Sequence, residues 1–410
     1  MNTEILFYII ISILTLQFIL ETYLDYLNSK HYKDAIPTEL SDVYDREEYV
    51  KSQDYKQTNY KFGLLTSIFS FVLTILFLVL GGFEWIDTIA RSVSDNPIII
   101  ALAFFGIIMI GSDVITTPFS YYATFVIEEK FGFNKSSKKL FVLDKLKGWL
   151  MMALLGGTIL ALFIWFFDWA GNNFWIYAWI VVTIFTLMMH LFYSKLIVPL
   201  FNKQTPLEDG LLKSKIENYA QSVGFELRNI FVIDGSKRST KANAYFSGFG
   251  KEKRITLYDT LVNDLSEDEV VAVLAHEVGH YKHKHIIYNL VASVLLTGFT
   301  LFILSLFINT PEVSLAIGVT QPSFHAALIG FGILYSPISE ITGLVMNYIS
   351  RKFEYEADDY AKNTFASVPL ITSLKKLSKN SLSNLTPHSA YVFMYYSHPT
   401  LLERIKNLKA

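Results

Sequence analysis

Apolar residues in this chain are gathered into long blocks, and their spacing outlines the architecture before any motif is considered. A helix needs about 20 mostly apolar residues to cross the hydrocarbon layer of a bilayer. Seven stretches meet that length, near 4–21, 62–83, 97–117, 149–169, 174–196, 286–308 and 324–348. Between the fifth and the sixth the rhythm changes. LEDGLLKSKIENYAQSVGF repeats its apolar positions at helical spacing, whereas NIFVIDG, NAYFSGFG and KRITLYDTL read as short strands broken by glycine and charged turns. LSEDEVVAVLAHEVGHYKHKH predicts one more helix, started by Ser266 and Glu269, which stand three residues apart as in a capping box. The expected fold is a mostly α polytopic membrane protein with a small α+β domain. Its parts are 1–196 with five spanning helices, 197–285 as the α+β domain, 286–348 with two more spans, and 349–410 as a C-terminal helical segment.

Composition agrees with a membrane protein: 52% of the 410 residues are hydrophobic and 18% charged, against roughly a quarter charged in soluble domains. The net charge of −2 gives no excess of either sign that would call for nucleic acid as a partner. Cysteine is absent, which removes disulfides, thiolate metal sites, cysteine nucleophiles and S-palmitoylation. No Lys or Arg precedes Lys30 and LETYLDYL lacks a small-residue cleavage site, so the first stretch is expected to be a retained span. Of the 35 basic residues, Arg91 alone falls on the side of the membrane that holds residues 1–3, and the remaining 34 lie on the other. By the positive-inside rule that other side is the cytoplasm, and it receives the α+β domain and the C-terminal segment.

Chemistry enters on the capped helix. His276 and His280 stand four apart, so both imidazoles leave one face, with Glu277 beside them in an HExxH pattern that suits a zinc ion and a water to be deprotonated. A catalytic zinc site needs a third protein ligand. The next segment on the same side begins SRKFEYEADDYA, where Glu354 and Asp358 are four apart on a predicted helix, so one could bind metal while the other braces a ligating histidine. NAYFSGFG could lend its edge to an extended peptide, with Asn243 the polar residue placed to help. Arg351, one turn before Glu354, is a candidate brace for Asp358 or a substrate carboxylate. His283 and His285 cannot turn toward the same ion as His276 and His280, and are read as orienting or solvated residues.

In several segments the chain resembles the integral-membrane CAAX prenyl proteases of type 1, zinc metallopeptidases that cut prenylated proteins at their C-terminus. The likeness lies in FVIEEKFGFNK at 125–135, LIVPLFNKQTPLEDG at 196–210, KANAYFSGFGKEKRITLYDTL at 241–261, HEVGHYKHKH, SRKFEYEAD, and YSHPTLLERI at 396–405. It implies seven helices around a water-filled chamber closed on the cytoplasmic side by the zinc site. It also implies Glu354 as third ligand, Asp358 as its helper and His398 as the group that steadies the oxyanion. Asp113, His190, Glu340 and Asn347 interrupt the apolar spans, as residues facing such a cavity would, and Pro337 is expected to kink the last span. The expected partners are a peptide or protein substrate, prenylated or not, and membrane lipids. A quality-control protease without a prenyl requirement fits the sequence equally well. A transporter or receptor would leave the three zinc-type ligands idle. The missing cysteines, and a KNLKA ending without lysine at the third or fourth place from the end, point to a bacterial inner membrane rather than endoplasmic reticulum.

Overall fold

The computed structural model of the protein describes residues 2–227, 229–247 and 254–410. Six helical stretches among them are long and apolar enough to cross a membrane. One of the six, Lys138–Phe201, turns back on itself at Gly171–Asn173, where Gly171 takes a φ of 54°, and so supplies two crossings. The spanning helices are, in chain order, Thr3–Lys30, Arg46–Val79, Pro97–Tyr122, Gly157–Ala170, Phe174–Leu196, His285–Phe307 and Phe324–Thr364.

These helices stand in a ring. The second packs on the first, the first on the seventh, and then seventh on sixth, sixth on fifth, fifth on fourth and fourth on third. Phe119 of the third span meets Phe62 and Phe69 of the second and closes the circle. A solid bundle would bury one stripe of every helix. Here only 6 to 22% of each span's most apolar window is buried, so the helices line a space instead of filling it. One core of the ring lies at one end: Leu6 and Leu78, Ala101 and Ile164, Phe174 and Leu304 gather there around Val313, Ile317 and Val319. That apolar plug seals the end of the chamber remote from the histidines.

Polar residues on the spans find partners across the ring. Asp113 accepts from Lys145 Nζ at 2.7 Å and from Trp149 Nε1 at 2.9 Å. Glu340 accepts from Gln17, and Asn347 donates to the carbonyl of Met394. The seventh helix runs through Pro337 without a break. Proline cannot donate to the carbonyl of Ile333, and Ser336 Oγ does so in its place at 2.8 Å.

The α+β domain holds a sheet of β1 (Gln204–Pro206), β2 (Asn229–Ile233), β3 (Ala244–Ser247) and β4 (Arg254–Tyr258) in the order β1-β2-β4-β3, with β2 and β4 parallel and the outer pairs antiparallel. The three expected strand runs match β2, β3 and β4, although Gly248–Gly250 of NAYFSGFG and Lys253 of KRITLYDTL lie outside the described residues. The edge strand β1, three residues ending in proline, carries no alternation to mark it. Ile255 and Leu257 of the sheet pack on Val270, Val271 and Leu274 of the helix Glu267–Lys282, whose capping box at Ser266 and Glu269 forms as expected.

That helix lies across the seventh span where the latter leaves the membrane region. At 1.5 Å per residue, 41 residues reach about 60 Å, roughly twice the hydrocarbon thickness, so the last turns project as a rigid arm. Gly279 permits the crossing: a Cβ there would stand 3.0 Å from both Cα and the carbonyl oxygen of Ala357 and 3.1 Å from Cβ of Tyr360. Backbone cannot yield as a side chain can. Gly279→Val is therefore expected to destabilise the fold by about 1–3 kcal/mol, the usual cost of overpacking, read as a lower midpoint of thermal unfolding. An unchanged midpoint would show that the two helices can part freely.

Candidate active site

The crossing brings together side chains that stand more than 70 positions apart in the chain. His276 Nε2 and His280 Nε2 face each other at 3.2 Å. Glu354 completes the triangle, with Oε1 3.2 Å from His280 Nε2 and Oε2 3.4 Å from His276 Nε2. Ligand atoms held at about 2.0–2.1 Å from a tetrahedral ion lie about 3.3–3.4 Å from one another; the two imidazole nitrogens stand near that separation, and the Glu354 carboxylate sets one oxygen near each of them. Among the described residues, Glu354 Oε2 is buried without a hydrogen-bond partner.

Charge tells the same story. Asp358, fully buried, lies 2.9 Å from His276 Nδ1 through Oδ1. Arg404 grips it with two bonds, Nε to Oδ2 at 2.9 Å and Nη2 to Oδ1 at 2.6 Å, and brings Nη1 within 3.4 Å of Glu354 Oε2. Glu277, Glu354 and Asp358 against the single guanidinium leave two uncompensated negative charges, which a divalent cation would neutralise. Burial disfavours the imidazolium of His276, but the bonds to Asp358 and Glu354 outweigh it and lift the group to about 9 in the metal-free site.

The remaining sequence candidates fall in two groups. Glu277, Asn243 and His398 line one cavity of about 530 Å³ with the three metal-type ligands. His398, 64% exposed, holds Nε2 3.3 Å from Glu354 Oε1. Asn243 sits at the start of β3, where its Oδ1 accepts from the amide of Ala244 and its carbonyl accepts from Tyr258. Arg351 does not brace Asp358: it donates to the carbonyls of Tyr396 and Val392, pinning the segment that precedes His398, and the brace of Asp358 is Arg404. Sequence reasoning passed over Arg404. A signal existed in Thr400 and Glu403, whose capping box starts the helix Leu401–Lys409 and turns Arg404 inward one turn later.

Comparison with known proteins follows the same division of the chain. Residues 25–203 match the family model of the CAAX prenyl protease N-terminal region with five membrane helices, and residues 206–410 match the model of peptidase family M48. The chain belongs to the CAAX prenyl protease 1 group of M48 peptidases. The CAAX prenyl protease 1 homolog of Oryza sativa subsp. japonica is 37% identical over 98% of this chain and 96% of its own length. CAAX prenyl protease 1 of Saccharomyces cerevisiae is 36% identical over 96% and 92%. The crystal structure of S. mikatae Ste24p matches with a TM-score of 0.94 over 100% of both chains at 34% identity. This M48 member is thus an integral-membrane metallopeptidase, and the hollow ring belongs to its fold.

The family implies a metal cofactor, and His276, His280 and Glu354 are the described group that could hold it in this cavity. In the metal-free protein the proton on His276 takes part of the cation's place. Because its folded pKa of about 9 exceeds the usual 6.5, the stability it lends is complete below pH 6.5 and lost as pH rises toward 9. A metal must displace that proton. The rise in melting temperature on adding metal should therefore grow steadily from pH 6.5 to 9, as followed by thermal unfolding with and without metal. A shift independent of pH would show that His276 is not the group displaced.

Proposed function

We propose that the chain is a zinc metalloendopeptidase that cuts near the C-terminus of CAAX-type prenylated substrates, with His276, His280 and Glu354 holding zinc. The convergence of those three side chains, whose ligand atoms lie within 4.8 Å of one another, inside the cavity that Glu277 also lines carries the reading. The relatives bear the name CAAX prenyl protease 1 over nearly their whole length, which supports the substrate class. When bound, zinc would polarise the scissile carbonyl and bring the pKa of a water toward 7. Glu277 is the base that takes the proton of the attacking water and delivers it to the leaving amine. His398 can donate through Nε2 to the oxygen on which negative charge develops. The free side of β3, an edge strand that starts in the cavity at Asn243 and Ala244, can pair with an extended substrate backbone. Asp358 and Arg404 brace His276, and Arg351 steadies the stretch that leads to His398.

Glu277→Gln keeps the size and hydrogen-bonding shape of the side chain but cannot take a proton. Zinc content should stay near one ion per chain while cleavage falls by about 10² to 10⁴. The assay compares a farnesylated CAAX peptide with its unprenylated twin and with a loosely folded membrane protein. Cleavage of the farnesyl peptide alone supports the prenyl-protease reading, and equal cleavage of all three would replace it with quality control. Undiminished cleavage by the variant would remove Glu277 from its role.

The distribution of basic residues puts the site on the cytoplasmic side. Single cysteines at Asp95 and Leu315, both exposed, should react with an impermeant thiol reagent from outside intact cells. A cysteine at Glu208 should react only after permeabilisation. The reverse pattern would invert the orientation.

A further inference from the structure

Beside the metal-type triangle lies a second set of similar side chains. His283, His285 and Glu356 offer ligand atoms within 4.8 Å of one another, yet two of the three are already engaged. His285 Nδ1 lies 3.0 Å from Nδ1 of His280, and His285 Nε2 lies 2.9 Å from Oε2 of Glu356. The ring is 2% exposed and lies flat on Phe353, with centroids 4.0 Å apart and planes at 8°. It has no freedom to turn.

With His285 neutral and Glu356 ionised, the donor and acceptor roles along this line follow from the contacts. An ionised carboxylate only accepts, so Nε2 of His285 carries the hydrogen. A neutral imidazole then has a bare Nδ1, which can only accept. His280 must therefore carry its hydrogen on Nδ1, which leaves its Nε2, the atom that faces His276 and Glu354, with a free lone pair. We propose that Glu356 and His285 form a positioning relay that holds His280 in the one tautomer able to bind a metal through Nε2. This rests on the ligand role proposed for His280 above.

The geometry explains why an extra ring is needed. Glu354 and Asp358 are four apart and share a face of the seventh helix, whereas Glu356 stands between them on the opposite side. Asp358 reaches His276 directly; Glu356 reaches His280 only through His285. Lys284, in the left-handed region at φ 62°, makes the tight turn that returns His285 beneath the helix that carries His280. The same constraint rules out an independent second metal site. A metal on Nε2 of His285 would move its hydrogen to Nδ1, where two donors would face each other at 3.0 Å. Relief would require the hydrogen of His280 to pass to Nε2, which would block the first site.

Zinc affinity of the purified full-length protein, measured by competition with a chelator of known affinity, tests the relay. His285→Phe keeps a flat ring on Phe353 and removes both hydrogen bonds. Its affinity should fall about 10- to 100-fold, the range seen when a partner of a metal-bound histidine is lost. His285→Gln restores an acceptor for His280 and should recover part of the loss. Glu356→Ala, at a half-exposed position, should weaken binding without disturbing the fold, and His283→Ala should leave it unchanged. Melting temperatures of the metal-free variants separate lost positioning from unfolding. Wild-type affinity in both His285→Phe and Glu356→Ala, with loss in His280→Ala, would overturn the relay alone. Wild-type affinity in His280→Ala would overturn the ligand assignment and the relay with it. A second equivalent of zinc that depends on His283 would also overturn it.

Discussion

The contact on which everything else depends is the crossing of two helices at backbone distance. Side chains that approach one another at 3.2 to 3.4 Å tolerate little slack, yet these come from helices that are far apart in the chain. Gly279 lets one backbone rest on the other at Ala357, and His276, His280 and Glu354 then meet on either side of that point. The seventh helix contributes by being long and unbroken. Glu354 is carried on a rod anchored in the plug at the far end of the ring, so the position of the site is set by the membrane part as well as by the soluble part.

Buried charge in the site is stabilised by completeness. Arg404 and Asp358 are bonded twice, His276 is tied to Asp358, and Glu354 Oε2 is left buried without a hydrogen-bond partner. Breaking a buried network of this kind leaves an uncompensated charge at a cost of about 3–5 kcal/mol. The arrangement therefore favours either a bound cation or a retained proton, and resists being empty of both.

Much of this was legible in the sequence because its signals are local. The apolar blocks announce the spans, His276 and His280 announce themselves by their spacing, and Ser266 with Glu269 marks the helix start. What escaped was set by contacts between distant segments. Arg404 stands beside the apolar stripe of Leu401, Ile405 and Leu408 in the last helix, where an arginine reads as solvated, and only the fold brings it beneath Asp358. Arg351, one turn from Glu354, looks placed to brace Asp358 by sequence proximity; in space it faces the carbonyls near Tyr396. The strand β1 has no pattern of its own and forms because β2 offers it an edge. The closure of the ring rests on Phe119 meeting Phe62 and Phe69, a pairing that no count of apolar residues would foretell.

The plug around Val313, Ile317 and Val319 gives the vessel a floor. A polypeptide cannot be drawn through from one end to the other, as it is in proteases built as open tunnels. Whatever enters would have to leave by the end that holds the histidines or through the wall between staves. A dead-end vessel of this kind handles a short tail inserted to a limited depth far more readily than a long chain fed continuously, and it would release its product by retreat.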